Sequence, residues 1–242
     1  GGAAQNAAIL QIGYGNGSIG NMGTHIIDIA YWALDLGKTA PTRIDTIDAQ
    51  FLCPGAWSWR NVIDYHFPAR GNLAPVTLHW WDGPRDGIPY TKEFVNKLGQ
   101  LHKREHQNLP PIVLETEKKW GVRFHNHGLL MVGTKGALFY THHGGFRFLP
   151  DSLGGFRDRD TKFDYRKMTL PHVGEFFQAI RDGREANTCF AYSVPLAKIV
   201  LLGNVAARAG KGTIFWDGHR VTNNETANEY LKTTYRPGWE IV

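Results

Sequence analysis

The chain has 242 residues, 42% hydrophobic and 20% charged, with a formal net charge of +5, the balance of a globular domain long enough to bury a proper core. No apolar run approaches the roughly 20 residues that cross a bilayer, so an integral membrane protein is not expected. The basic residues do not point to nucleic acid either: Arg157, Arg159, Lys162, Arg166 and Lys167 alternate with Asp158, Asp160 and Asp164, which reads as a solvated surface and not a phosphate-tracking stripe.

Residues 13–36 run from a glycine-rich loop into an apolar segment and read as loop then helix. At about 100° per residue, Asn21, His25, Asp28 and Trp32 share one stripe. Ile26, Ile27, Ile29, Ala30, Ala33, Leu34 and Leu36 fill most of the remaining circumference, which predicts a helix buried on most sides. Burying an amide, an imidazole and a carboxylate together is costly unless each is partnered, so the stripe is expected to face a tight polar network or a wet cleft. Gly15-x-Gly17-x-x-Gly20 fits the dinucleotide fingerprint, with Asp35 about 20 residues on. Asp35 falls inside the predicted helix and no βαβ alternation follows, so that match is set aside.

Gly37 then stops the helix, and a turn at Thr39-Ala40-Pro41-Thr42 leads into a strand over about Arg43 to Leu52. Asn61–Phe67 alternates, with Ile63, Tyr65 and Phe67 on one side, and so does Pro75–Trp81, with Val76, Leu78 and Trp80. The two read as an antiparallel pair. Residues 82–119 read as an excursion, Pro110-Pro111 closing a stretch that holds a charged helical segment from Thr91 to His106. A loop of that length is often functional, and its Trp81-Asp82-Gly83 entrance would put it beside a substrate.

Leu129–Val132, Ala137–Thr141 and Phe146–Leu149 are short strands with glycine turns, expected to extend the meander. Pro171 is expected to start a helix with Phe176, Phe177 and Ile180 as its apolar stripe, stopped by Gly183. A second helix, from about Ser193 to Ala209 with Gly210 as cap, is apolar on nearly every side through Leu196, Ile199, Val200, Leu201, Leu202 and Val205, and is expected to be buried. Strands followed by helices predict an α+β fold: one domain over residues 1–242, an open, mainly antiparallel sheet with helices packed on one face. The uncovered face, expected to be apolar, predicts a homo-oligomer through the sheet.

Other chemistries find less. His102 and His106, His125 and His127, and His142 and His143 are pairs, where a metal needs three or four convergent ligands, so no metal is expected. No Gly-x-Ser-x-Gly elbow is present. Cys53 and Cys189 allow one disulfide at most and leave the compartment open, cytoplasmic or periplasmic. Trp57, Trp59, Trp80, Trp81 and Trp120 include rings that could stack on a sugar, although core packing accounts for most of them equally well.

Gly15-Asn16-Gly17-x-Ile19-Gly20-Asn21-x-Gly23-x-His25-x-x-Asp28-x-Ala30-x-Trp32-x-Leu34 resembles the second catalytic motif of the glucose-fructose oxidoreductase, inositol dehydrogenase and rhizopine-catabolism (Gfo/Idh/MocA) family. The resemblance continues through Trp80-Trp81-Asp82-Gly83, residues 132–138, 172–181 and 202–210, Trp216-Asp217, Ala227-Asn228 and residues 235–240. It implies the C-terminal substrate and oligomerisation domain of an NAD(P)-dependent sugar or polyol oxidoreductase. The N-terminal Rossmann domain, with its Glu-Lys-Pro motif and catalytic lysine, would be absent and would act as a partner in cis or in trans. His25 would be the catalytic base or its relay, and Asn21, at the place of the family's usual aspartate, would orient it. Tyr14, Asn16, Asp28 and Trp81 would bind the sugar. NAD or NADP would belong to the complete enzyme, with no cofactor for this chain alone. The alternatives are a noncatalytic carbohydrate-binding or scaffold module, and a relative of glycosidases that use NAD for transient oxidation.

Overall fold

The computed structural model describes residues 15–51, 53, 55–86, 104–141, 145–154, 165–232 and 235–239. Helix α1 (Gly17–Ala33) is followed by β1 (Arg43–Phe51), β2 (Ser58–Phe67), β3 (Val76–Asp82), α2 (Pro111–Trp120), β4 (Leu129–Gly133), β5 (Gly136–Thr141), β6 (Gly145–Leu149), α3 (Tyr165–Asp182), α4 (Phe190–Ala209), β7 (Gly212–Phe215) and α5 (Glu225–Glu229). The fold is α+β and its sheets are antiparallel, as the strand-then-helix order predicts. There are two of them, in the orders β3-β2-β1-β7 and β4-β5-β6.

The second sheet corrects the expectation of one extended meander. β4–β6 pair only with one another and close a small core of their own, Phe124, Ala137, Phe139 and Leu149, against which Val113 and Trp120 of α2 pack. What diverts the chain is α2, which the sequence reading missed by taking Pro110-Pro111 as a bracket. Pro111 is the first helical residue, where a missing N–H costs nothing, and Gly121 closes the helix at φ +61. Most of the expected helix at Thr91–His106 lies outside the described residues, and Arg104–His106 is a single 3-10 turn.

In the larger sheet the alternation of β2 and β3 holds. Ile63, Tyr65 and Phe67 are buried with Leu78 and Trp80, in the register Ile63↔Trp80 and Tyr65↔Leu78. β7, which sequence did not suggest, pairs with β1 from Arg43↔Phe215 to Thr46↔Gly212. Helices α1 and α4 cover the inner face. Two glycines let them come close: a Cβ on Gly23 would lie 2.8 Å from Val200 Cγ1, and one on Gly203 would overlap the Tyr65 hydroxyl.

Two expectations about α3 change, and the burial expected of α4 holds. α4 starts at Phe190, and its second half is buried as expected: Leu196, Ile199, Val200 and the six consecutive residues 202–207, more than one full turn, are buried, with Leu201 42% exposed. Contrary to the expectation that no apolar segment approaches the length that crosses a bilayer, α4 is by length and hydropathy apolar enough to cross a membrane; here its apolar residues lie in the core shared with α1 and the sheet. α3 begins at Tyr165, so Pro171 sits inside it. Its stripe of Val173, Phe176, Phe177 and Ile180 is 44–62% exposed, while Ala179 is buried.

The contact between Gly203 and Tyr65 is testable. Alanine in a helix interior is favoured over glycine by about 1 kcal/mol, but overpacking a rigid site costs about 1–3 kcal/mol, and Tyr65 is fully buried with nowhere to swing. Gly203→Ala is therefore expected to destabilise the protein in urea unfolding. The loss should shrink in a Tyr65→Phe background, where the hydroxyl that the methyl meets is gone.

Candidate functional site

The glycine loop ahead of α1 is fixed by its neighbours. Trp57 Nε1 donates to Gly15 O at 2.6 Å, and Asn204 Nδ2 donates to Asn16 O at 2.6 Å. Gly17 has φ +71, and a Cβ there would lie 2.9 Å from Trp57 Cβ. A Cβ on Gly20 would meet Asn16 Cγ at 2.5 Å. The glycine spacing that mimics a dinucleotide fingerprint thus serves close packing. Asn16 gives α1 no side-chain cap; its backbone is what the neighbouring side chain holds. Tyr14 lies outside the described residues.

Beneath the loop is a polar cluster centred on Asp82. Its carboxylate accepts hydrogen bonds from Asn61 Nδ2 at 2.8 and 3.1 Å, from Trp80 Nε1 at 2.8 Å and from the Ser18 hydroxyl in the first turn of α1. Burial pushes the Asp82 carboxyl up to about 6, with those donors pulling the other way. Asp82 as a residue keeps partial exposure, so it is the carboxylate that is desolvated. Burial also raises the Tyr65 phenol, and the charge of Asp82 adds to it. Among the described residues, the Tyr65 hydroxyl, Asn61 Oδ1 and Asn204 Oδ1 are buried without a hydrogen-bond partner.

On the opposite side of α1, Asn21 and His25 are exposed and Trp32 is 73% exposed. This side is open, which corrects the expectation of burial on most sides: α1 buries Gly17, Ile19, Gly20, Gly23, Ile27, Ala30 and Tyr31, and the rest meets solvent or is half-buried. Asp28, half-buried, does find a polar network. The Tyr192 hydroxyl donates to Asp28 Oδ1 at 2.5 Å, and Tyr31 donates to the Tyr192 carbonyl at 3.3 Å with the two rings edge to face at 5.2 Å. The Tyr192 phenol is raised by burial and then by its bond to Asp28. Tyr140 of β5 is raised by burial and by the charge of Asp28. Asp28 therefore stands among tyrosines from α1, α4 and the second sheet, one helical turn from His25.

Trp81 lies elsewhere. It alternates with the buried Trp80 and so falls on the outer side of β3, where it lines a groove of about 410 Å³ with Arg85, Arg104, Asn108, Leu114 and Arg123; α1 contributes nothing to that lining. The structure brings Asn21, His25 and Asp28 onto one side of α1, places Asn16 in the fixed loop, and leaves Trp81 apart. The outer face of the larger sheet is polar, not apolar as expected. Asp45 accepts from Arg43 Nε at 2.9 Å and Thr213 Oγ1 at 2.6 Å and pairs with His66 Nε2 at 2.8 Å, while Asp64 pairs with His79 Nδ1 at 2.6 Å. Burial would raise the Asp45 carboxyl, but the bonds from Arg43, Thr213 and His66 together hold it below its ordinary value. Among the described residues no group of three or more His, Cys, Asp or Glu could hold a metal ion.

Tyr192, Tyr140, Asn61 and Asn204 were not singled out from sequence. Asn204 had a signal, an amide within the apolar run of α4. The tyrosines had none, because they reach Asp28 only through tertiary packing.

The position of the Asp82 carboxyl sets a pH dependence. Its ordinary value is 3.8 and its folded value about 6, so between these the folded state binds more protons than the unfolded, and stability falls as pH rises through that window. The displacement corresponds to roughly 3 kcal/mol, retained below about pH 4 and lost above about pH 6. Asp82→Asn should remove this segment: the stability difference between parent and variant, from urea midpoints at pH 4 and pH 7, should move by that order in the variant's favour. Parallel curves would overturn the assignment.

No protein-family model matches the chain, and no curated protein matches it.

Proposed function

We propose that this chain is the substrate-binding and assembly half of an NAD(P)-dependent sugar or polyol oxidoreductase, with the nucleotide-binding half supplied in cis or in trans. The observation that supports it best is the accessible His25, with Asn21 one turn before it and Asp28 one turn after, on a helix whose loop is rigidly held. A carbinol that loses hydride also loses a hydroxyl proton, and an imidazole within hydrogen-bond reach is suited to take it. In this reading His25 holds the proton, Asn21 orients the hydroxyl, and Asp28, fixed by Tyr192, sets the polar edge of the site.

The described residues do not fit a dinucleotide. Both sheets are antiparallel, the loop carbonyls of Gly15 and Asn16 are taken by Trp57 and Asn204, and the Asp82 carboxylate lies against Ser18, where a pyrophosphate would need N–H groups and no like charge. The chemistry assigned to this chain therefore stops at holding the carbinol and its proton. A second copy is assigned to the outer face of the larger sheet, whose Arg43, Asp45, Asp64, His66 and His79 carry both signs of charge and so allow a self-complementary contact.

Calorimetry should show no NAD(H) or NADP(H) binding to this chain, while neutral polyols should move the His25 imidazole resonances and lose that effect in Asn21→Ala. Nucleotide binding in the micromolar range, or a His25 signal unmoved by every hexose and cyclitol tried, would overturn the proposal.

A further inference from the structure

The two ends of the 82–119 excursion are joined into a rigid neck. Arg85 N donates to His106 O at 2.8 Å and Asn108 N to Gly83 O at 3.1 Å, with a bridge between Pro84 and Gln107. The buried Asn108 ties this neck to the sheet through Asp82 O at 3.0 Å. Gly83, at φ +80, passes so close to β2 that a Cβ would lie 2.5 Å from Trp59 O. The groove beside Trp81 opens onto this neck.

One wall of the groove is a preset guanidinium. Arg104, its side chain 11% exposed, is held by Glu117 Oε2 at 2.6 Å and by Phe124 O at 3.2 Å. Glu117 is itself fixed, accepting from Phe124 N through Oε1 at 2.6 Å. These contacts engage the two terminal nitrogens of a group with five N–H donors, and Arg104 still lines the open groove. Arg123, exposed beside it, makes no ion pair among the described residues. Arg85 is opposed by Asp86 at 3.1 Å, Arg104 by Glu117 at 2.6 Å, and Glu105 also lines the groove, so the guanidinium there with no carboxylate partner among the described residues is that of Arg123. Lys118 adds positive charge in the adjoining cavity, which shares Arg104, Leu114 and Arg123.

The groove is also lined by the half-buried Trp81 and by Leu114. A flat aromatic face accepts the C–H side of a sugar ring, and a fixed guanidinium fork takes a carboxylate or phosphate through paired hydrogen bonds. The volume, about 410 Å³, is within the range of small-molecule pockets. We propose that this groove is a binding site for a sugar carrying one anionic substituent, the ring on Trp81 and the carboxylate or phosphate on Arg104 and Arg123. The inference rests on the reading of the chain as a sugar-handling protein, and adds to it an anionic class and a location away from His25.

Calorimetric titration of the full chain with glucuronate, glucose 6-phosphate, glucose and inorganic phosphate tests this. The charged sugars should bind at least tenfold more tightly than glucose, and which of the two binds better tells carboxylate from phosphate. Arg123→Gln, a substitution at an exposed position, should weaken them about tenfold. Trp81→Leu should weaken both sugars and leave inorganic phosphate unaffected. Charged-sugar binding that persists where neutral polyols leave the His25 resonances unmoved, or the reverse, tells a failure of the proposed base from a failure of this site. Equal affinity for glucose, affinity unaffected by Arg123→Gln, or preference for an acidic peptide over the charged sugars would overturn the proposal.

Discussion

The arrangement depends on how closely α4 approaches the sheet. Gly203 passes directly over the hydroxyl of the fully buried Tyr65, and Gly23 of α1 meets Val200 of α4. With no Cβ at either point, α1 and α4 settle against each other and against β2, and the rotation of α1 is fixed: Ile19 and Ile27 must go inward. Asn21, His25 and Asp28 are then left on the other side. The accessibility of His25 is thus a consequence of where glycine permits contact, Gly23 lying two residues away on the opposite side of the same helix. A helix held at the usual spacing by alanine in both places would be free to roll and carry the stripe with it.

At the first turn of α1 the packing is joined by the polar cluster around Asp82. A neutral hydrogen bond adds about 0.5–1.5 kcal/mol net, while desolvating a carboxylate costs more than any one such bond returns. The raised position of the Asp82 carboxyl shows that desolvation wins. The cluster therefore opposes folding at neutral pH as far as Asp82 is concerned. It does fix geometry, because one group ties β3 to β2 through Asn61 and to α1 through Ser18.

Much of this was legible in the residues, where periodicity and burial coincide. The alternation of β2 and β3 and the caps at Gly183 and Gly210 follow local rules that tertiary structure did not overrule. What was not legible involves pairing at a distance. β7 is only four residues, Gly212–Phe215, too short to show a period, and exists because β1 offers it an edge. The split into two sheets depends on α2, whose first residue is a proline that reads equally as a turn. The outer sheet face was expected to be apolar because strands cover a core, yet Asp45, Asp64, His66 and His79 fall on the alternate positions that a period of two assigns to solvent. The alternation was there to read; the inference from an uncovered face to an apolar one was the error. For the site, the helical stripe was visible, but the partners of Asp28 come from α4 and β5, about 110 residues or more along the chain, and no spacing rule reaches that far.

Sequence reading had gathered His25 and Trp81 into one sugar site, and the sheet separates them. α1 packs on the inner face of β2 with Ile19 against Tyr65 and its neighbours, whereas Trp81 belongs to the outer side of β3. One monosaccharide cannot touch both, so two residues that the family resemblance would place together have to be considered as separate sites. They are not independent, however. Asp82 follows Trp81 in the same strand and binds Ser18 of α1, and Asn108 beside the groove donates to the carbonyl of Asp82. A ligand that shifts β3 at Trp81 must either carry the Asp82 carboxylate with it or break its contact with Ser18 in the first turn of α1, the helix that carries His25. With that carboxyl raised to about 6, the strength of this linkage is itself set by pH: an ionised Asp82 accepts from Ser18 with full charge, and a protonated one holds the first turn of α1 less firmly.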